Sequence, residues 1–412
     1  MRVFQRLLNA TPSIKVNRLR FTRLKQTGKQ VLVFLIILPI RLPILFVFYL
    51  LSVRSLYVSF HYVGHLIAET DCLIKQVALK TLRRKRWVFF YDREKIANKA
   101  FLEILPNYIV PIHAPRYIRV IFNSKNSKKD TFNYIQKFPA DLFKINNAWG
   151  DLPSALSVPI DWVNLTNELL SRVGFSANCK YICIHARESG HNPTKEGLHR
   201  YRNVEILSLY NSVAYLHGLG FNIIRMGDPS MSPLPKEFDK FNIFDYARSL
   251  ERRPFLDLAI SSGCHFFMSC SSGAAYLASV FGRPVLSTNM CLPFNYSPSG
   301  LFFDIGTPKL MLDKNTGKFI SLRTIIERKL YKILTSNELD ERCIELLPNS
   351  PTEIYETTRE MVERLNGTWK DSASDRELQR NLRKLLPHDF YSYGTGSKCG
   401  SYFLRKYETL LT

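Results

Sequence analysis

Four apolar runs, each ending in polar residues and separated from the next by a helix-like stretch, constrain this chain more than any other feature. They are YICIHAR at 181–187, FNIIRMGD at 221–228, CHFFMSC at 264–270 and RPVLSTN at 283–289. Between them lie VEILSLYNSVAYLHG at 204–218, closed by Gly218 and Gly220, FLDLAISSG at 255–263, and GAAYLASVFG at 273–282. Continuous apolar runs are expected where both faces of a strand are covered, as in a parallel sheet flanked by helices. A looser β–α rhythm precedes them. SLYVSF at 55–60, RWVFFY at 86–91, YIVPI at 108–112 and RYIRVIF at 116–122 read as strands, VGHLIAETDCLIKQVALK from Val63 and KIANKAFLEIL from Lys95 as helices, and NSKNSKKD at 123–130 as a surface loop. The 412 residues hold about two domains on a prior of roughly 150 residues each. The expected organisation is α/β: a basic segment and hydrophobic membrane anchor at 1–54, a Rossmann-like domain at 55–170, a second at 171–345, and a helical tail at 346–412.

The N-terminus has a bias of its own. No acidic residue occurs from Met1 to Ala68, while Arg2, Arg6, Lys15, Arg18, Arg20, Arg23, Lys25 and Lys29 precede VLVFLIILPIRLPILFVFYLL at 31–51. That stretch is long enough to span a bilayer. Its centre holds Arg41, which costs about 2.5–3.5 kcal/mol on insertion scales, between the helix breakers Pro39 and Pro43. The far flank is basic too, with Arg54 and RRKR at 83–86. Basic flanks on both sides fit a monotopic or re-entrant anchor at the cytoplasmic face of a membrane; a single span or a buried hydrophobic arm are the alternatives.

The formal charge of +22 suits nucleic acid, anionic lipid or a phosphorylated substrate. Nucleic acid is disfavoured, because no zinc-finger spacing, basic region with heptads or RRM-type signature occurs. The eight cysteines form no C-x-x-C pair, and several, such as Cys183 and Cys270, sit inside apolar runs, which suggests packed thiols in a reducing compartment.

The polar residues at the carboxyl ends of the second set of strands are the candidates for chemistry, since ligands of open α/β sheets bind there. His185 and Arg187 are two apart and share a face. Arg225, Gly227 and Asp228 end the next strand. Ser271, Ser272 and Gly273 open a helix, whose N-terminus offers N–H groups to an anion. Arg187 and Arg225 would add charge-assisted donors to phosphate oxygens. The bland alternatives are a Ser-Ser-Gly cap, an arginine ion pair and a turn aspartate. G-x-x-x-x-G-K-[ST], D-x-D, H-E-x-x-H and G-x-S-x-G are absent, and the G-x-G triplets at 218–220 and 394–396 do not link a strand to a helix. The site expected is therefore cationic and metal-free. His65 and Glu69, four apart at the start of a helix, form a candidate base and its orienting carboxylate, or a packing and capping pair. Asp71, Glu188 and His191 are weaker candidates for the base, and Asp257 is expected to brace its helix.

CIHARESG with YRN, IIRMGDPSMSPLP, FDYARS, FLDLAISSGCHFFMSCSSG and FGRPVLSTN together resemble a bacterial family of glycosyltransferases associated with capsule and lipopolysaccharide genes. VGHLIAETD at 63–71 and YSYGTGSKCGSYFLRKY at 391–407 resemble the ends of that family. The H-x-R at 185–187 is similar to the opening motif of GT-B fucosyltransferases, although position 190 is Gly where they carry Asp. The resemblance implies a GT-B fold of two facing Rossmann-like domains, with a nucleotide-sugar donor bound mainly by the second. It further implies a glycan or lipid-linked acceptor, no cofactor beyond the co-substrate, and a place in surface polysaccharide synthesis at the cytoplasmic face of the inner membrane. A non-catalytic binding or scaffold protein of the same assembly machinery is the first alternative, and another transferase with a nucleotide-activated donor, such as a sulfo- or phospho-transferase, the second.

Overall fold

Tyr181 and Cys183 pack into one apolar cluster and Ile182 and Ile184 into another, and all four are buried. That alternation places their strand between two covered faces, as the uninterrupted apolar run requires. The computed structural model of the chain describes residues 43–116, 118–119, 133–137, 139–176, 179–191, 193–291 and 301–411. Its contacts divide it into two units, one within Met1–Tyr57, Lys85–Asp92 and Tyr108–Ile135, and one of Val58–Arg84, Arg93–Asn107 and Gln136–Thr412.

The first unit is built on a four-stranded sheet. Its strands are β1 (Val53–Leu56), β2 (Arg86–Tyr91), β3 (Ile109–His113) and β4 (Asn133–Tyr134), in the order β3-β2-β1-β4, with every pairing parallel. Pro111 is tolerated in β3 because that strand is an edge. Residues 43–50, the end of the long apolar stretch, are helical. Ile44, Leu45 and Phe48 pack with Val88 and Phe90 of β2, while Phe46, Tyr49 and Leu50 are exposed. The basic segment and most of the expected anchor, including Pro39 and Arg41, lie outside the described residues. Among the described residues no helix is long and apolar enough to cross a membrane. The expected strand at 116–122 is corrected where it is described: Arg116, Ile118 and Arg119 are helical. Pro115 precedes that turn, and its carbonyl accepts from Arg119 N–H at 3.1 Å.

The second unit carries a seven-stranded sheet. Its strands are β5 (Tyr181–Ile184), β6 (Asn222–Arg225), β7 (Ile243–Phe244), β8 (Phe267–Ser269), β9 (Val285–Met290) and β10 (Ile305–Pro308), with β14 (Lys398–Cys399) on one edge. The order is β14-β10-β9-β8-β5-β6-β7, and every pairing is parallel. The helices Tyr210–Gly218 and Pro351–Leu365 pack together, as do Ile160–Arg172 and Pro254–Gly263. A small antiparallel sheet of β11 (Leu310–Asp313), β12 (Lys318–Phe319) and β13 (Ile344–Leu347) completes the strands.

The fold is thus α/β with parallel sheets. Leu169 and Leu170 are buried in one cluster with Tyr181 and Phe267, so the helix before residue 171 belongs to the larger sheet. The expected tail is not an appendage, since β14 joins that sheet. Buried carboxylates tie its parts to one another: Glu360 accepts from Arg364 and Ser401, and Glu353 from Lys406 and Tyr407. The Val63–Ala78 helix also lies in the second unit, packed on Ala140–Trp149 and on the residues after β8.

Candidate functional site

The chain leaves β5 at Ile184, and the next residues remain tied to the neighbouring strands. His185 N–H donates to the Met268 carbonyl at 2.9 Å. Its ring is buried, with Nδ1 3.0 Å from the Met226 carbonyl and Nε2 2.9 Å from Ser272 Oγ. A carbonyl only accepts, so Nδ1 carries a proton, and in the neutral ring Nε2 receives the Ser272 hydroxyl. The ring expected at a donor site is thus engaged within the protein. Both nitrogens are spent inside the protein, and the residue fixes the ends of β5, β6 and β8 in register.

Arg187 is also held, but less completely. Its Nη1 donates to Asn203 Oδ1 and, at 3.3 Å, to the His199 carbonyl, and its Nη2 stands 3.6 Å from Glu196 Oε2. Burial first, and then the neighbouring charge of Arg202, push this guanidinium below its ordinary pKa. Arg202 donates from Nε to the Ser271 carbonyl at 2.8 Å. Lys309 is buried, and its Nζ donates to the carbonyls of Tyr201 at 2.8 Å and Asn203 at 3.0 Å. Burial lowers its pKa as well. Sequence reasoning assigned neither Arg202 nor Lys309 a role. Arg202 stands in the YRN motif, but nothing in local spacing brings it beside Arg187.

The residues after β8 close the other side. Ser271 Oγ accepts from Cys291 N–H at 2.8 Å. Ser272 caps a turn, its Oγ accepting from Ala274 N–H. The long helix expected to open here is instead the 3₁₀ turn Gly273–Ala275 followed by the four-residue helix Tyr276–Ser279. Its dipole is correspondingly small, and cationic side chains supply the site's positive charge.

This turn touches the start of the Val63–Ala78 helix. A Cβ on Gly64 would lie 2.8 Å from Gly273 Cα and 3.0 Å from Tyr276 Cδ2. One residue on, His65 Nδ1 is 2.8 Å from Glu69 Oε1, and Glu69 Oε2 accepts from Ser59 N–H at 2.9 Å. The carboxylate fixes the ring and directs its basicity to Nε2, the arrangement of a base and its orienting group. Asp71, a weaker candidate, is buried against Lys75 at 2.7 Å, and burial raises its pKa. It is a structural ion pair.

The other expected residues are engaged as follows. Arg225 is fully buried, donating from Nη1 to Ser232 O at 2.8 Å and Asp245 Oδ2 at 3.1 Å, and from Nη2 to Glu188 Oε1 at 2.6 Å. A guanidinium so engaged stays in the loop it braces, and so does Glu188, which also accepts from Ser232 N–H. At Gly227 a Cβ would lie 2.2 Å from Met231 Sδ, so that glycine serves packing. Asp228 Oδ1 accepts from Ser230 N–H at 3.0 Å and its hydroxyl at 2.5 Å, closing its own turn. Asp257 accepts from Tyr246 and Arg252, and burial pushes it up to about 6, in keeping with its expected bracing role. The His191 side chain lies outside the described residues. No cluster of three His, Cys, Asp or Glu suited to a metal occurs among the described residues.

No family model matches this chain, and no curated protein sequence matches it. Solved structures with some likeness include the glycosyl transferase family 9 protein of Veillonella parvula, at 12% identity over 76% of this chain and 97% of that one, with TM-score 0.48. Another is the E. coli ADP-heptose lps heptosyltransferase II, at 11% identity over 57% and 84%, with TM-score 0.38. A third is Thermosulfurimonas dismutans KpsC, a beta Kdo 2,7 transferase, at 13% identity over 52% and 68%, with TM-score 0.21. All three are distant.

Proposed function

We propose that this chain is a glycosyltransferase of the GT-B type, which moves a sugar from a nucleotide-sugar donor to a glycan or lipid-linked acceptor in cell-surface polysaccharide synthesis. The observation that carries the proposal is the Gly64–Gly273 contact. It sets the His65–Glu69 pair beside the turn that follows β8, on the strand-end edge where Arg187 stands. A cation for a leaving diphosphate and a base for an incoming hydroxyl are the two groups that glycosyl transfer requires.

In this reading the bond from the sugar's anomeric carbon to the donor phosphate breaks, and its electron pair leaves with the nucleoside diphosphate. Arg187 and polar groups of the Ser271–Gly273 turn stabilise the charge that develops there. The acceptor oxygen bonds to the anomeric carbon and gives its proton to His65 Nε2, while Glu69 holds the ring. No metal and no cofactor beyond the nucleotide sugar are assigned a role. The segment 1–54 would rest on the anionic cytoplasmic face of the inner membrane, supported by its basic charge and the exposed Phe46, Tyr49 and Leu50.

A panel of labelled nucleotide sugars offered with a lipid-linked glycan extract tests the activity. Transfer of label that is lost in Arg187→Ala is the expected result. Nucleotide binding without transfer by any sugar of the panel would favour the scaffold reading instead. For the membrane, tags at both termini should be reached only from the cytoplasmic side; tags on opposite sides would overturn the monotopic arrangement.

A further inference from the structure

Arg187, Arg202 and Lys309 bring three positive charges to one strand-end region, and among the described residues the carboxylate paired with any of them is Glu196. That pairing is poor. Glu196 Oε2 stands 3.6 Å from Arg187 Nη2, beyond good hydrogen-bond range, and accepts no hydrogen bond, while its Oε1 accepts from Asn203 Nδ2. Arg202 is spent only at Nε; among the described residues neither terminal nitrogen of its guanidinium has a hydrogen-bond partner. Its placement is built. Lys309 holds the carbonyls of residues 201 and 203, on either side of it, and Val204 N–H donates to the Arg187 carbonyl at 3.0 Å. Bringing Arg202 near Arg187, whose one carboxylate partner stands 3.6 Å away, costs free energy unless a ligand returns it.

We propose that Arg202 is a second diphosphate-binding residue, and that Glu196 is a built-in competitor which occupies Arg187 until the diphosphate displaces it. This rests on the donor-site reading given above. Three cations against one carboxylate leave an excess of two charges, which the two negative charges of a diphosphate ester match. Arg202 takes the first phosphoryl group on its unspent nitrogens, and Arg187 takes the second as Glu196 withdraws.

Titration calorimetry of the full chain with inorganic pyrophosphate and with phosphate tests this. Arg202→Gln should weaken pyrophosphate binding about ten- to a hundredfold, as loss of a charge-assisted fork implies, and remove most of the preference over phosphate. Arg202→Lys should fall between, because it keeps the charge without the fork. Glu196→Gln should tighten pyrophosphate binding several-fold. The proposal is overturned if Arg202→Gln, with an unchanged melting profile, binds pyrophosphate as the parent chain does. It is also overturned if Glu196→Gln leaves the affinity unchanged or lowers it, or if the parent chain binds no pyrophosphate. Should Arg202→Gln not fold, Arg202→Lys and Glu196→Gln decide the matter. Failure of the glycosyltransferase reading has a different signature: pyrophosphate binds through Arg202, yet no nucleotide sugar is turned over.

Discussion

Gly64 and Gly273 meet backbone to backbone. A Cβ on Gly64 would lie 2.8 Å from the Cα of Gly273, and one on Gly273 would lie 3.0 Å from the nitrogen of Gly64. Neither distance can be relieved by rotating a side chain. The contact locks the start of the His65 helix to the turn beside the cationic residues, so it sets the distance between proposed base and proposed leaving-group site.

Gly64→Ala should therefore separate the two. Overpacking of a tight contact costs about 1–3 kcal/mol, and a displacement near 1 Å can cost about a hundredfold in rate. We expect a lower melting temperature and a larger loss of kcat/KM than that stability change explains. Unchanged turnover would show that the contact only packs.

Arg187→Ala should remain folded and lose about 2–4 kcal/mol of transition-state stabilisation, typical of one well-placed donor. Lysine should be a poor replacement, because it lacks the planar fork. A folded Arg187→Ala chain with parental kcat/KM would remove this residue from the site.

His65→Gln should lower kcat by about a hundred- to ten-thousandfold, the range for general-base catalysis, with little change in KM for the donor. Glu69→Gln should give a smaller loss, since the ring keeps its place but loses the charge that steadies its protonated form. A kcat unaltered in His65→Gln would leave His65 as a packing residue.

Chelation should have no effect. Treatment with EDTA is expected to leave transfer intact, because the positive charge at the strand ends comes from side chains. Activity that vanishes and returns with magnesium or manganese would require a metal.

Asp257 gives a pH dependence of defined sign. Burial holds its carboxyl at about 6, against 3.8 ordinarily, so the folded chain binds this proton more tightly than the unfolded one. Its stabilising contribution is complete below about 4 and is lost as pH rises through about 6. Asp257→Asn should remove that slope. The stability of the parent relative to the variant should fall by roughly 2 kcal/mol between pH 4 and pH 7 in denaturant titrations. Parallel curves would show that Asp257 ionises normally.

Much of the sheet was legible, because an apolar run buried on both faces leaves little else for a strand to be. RWVFFY at 86–91 is β2 residue for residue, and the runs at 181, 222, 267 and 285 are all strands. The helix carrying His65 and Glu69 was legible too, and their spacing of four delivered a real contact of 2.8 Å. Arg187 was correctly placed at a strand end.

What the sequence by itself determined was therefore local: period, strand ends, and which polar residues leave the sheet. Which of those residues are spent and which are left over was decided only by tertiary structure. Arg225 and Arg187 read alike along the chain, yet Arg225 is consumed by Glu188 and Asp245, while the carboxylate paired with Arg187 stands 3.6 Å away. Arg202 and Lys309 reach the same place from positions far apart in sequence. Leu169 likewise packs against the larger sheet, and β14 pairs within it, through contacts with residues far along the chain. Charge pairing and burial depend on distances that folding creates, and no periodicity in one dimension encodes them.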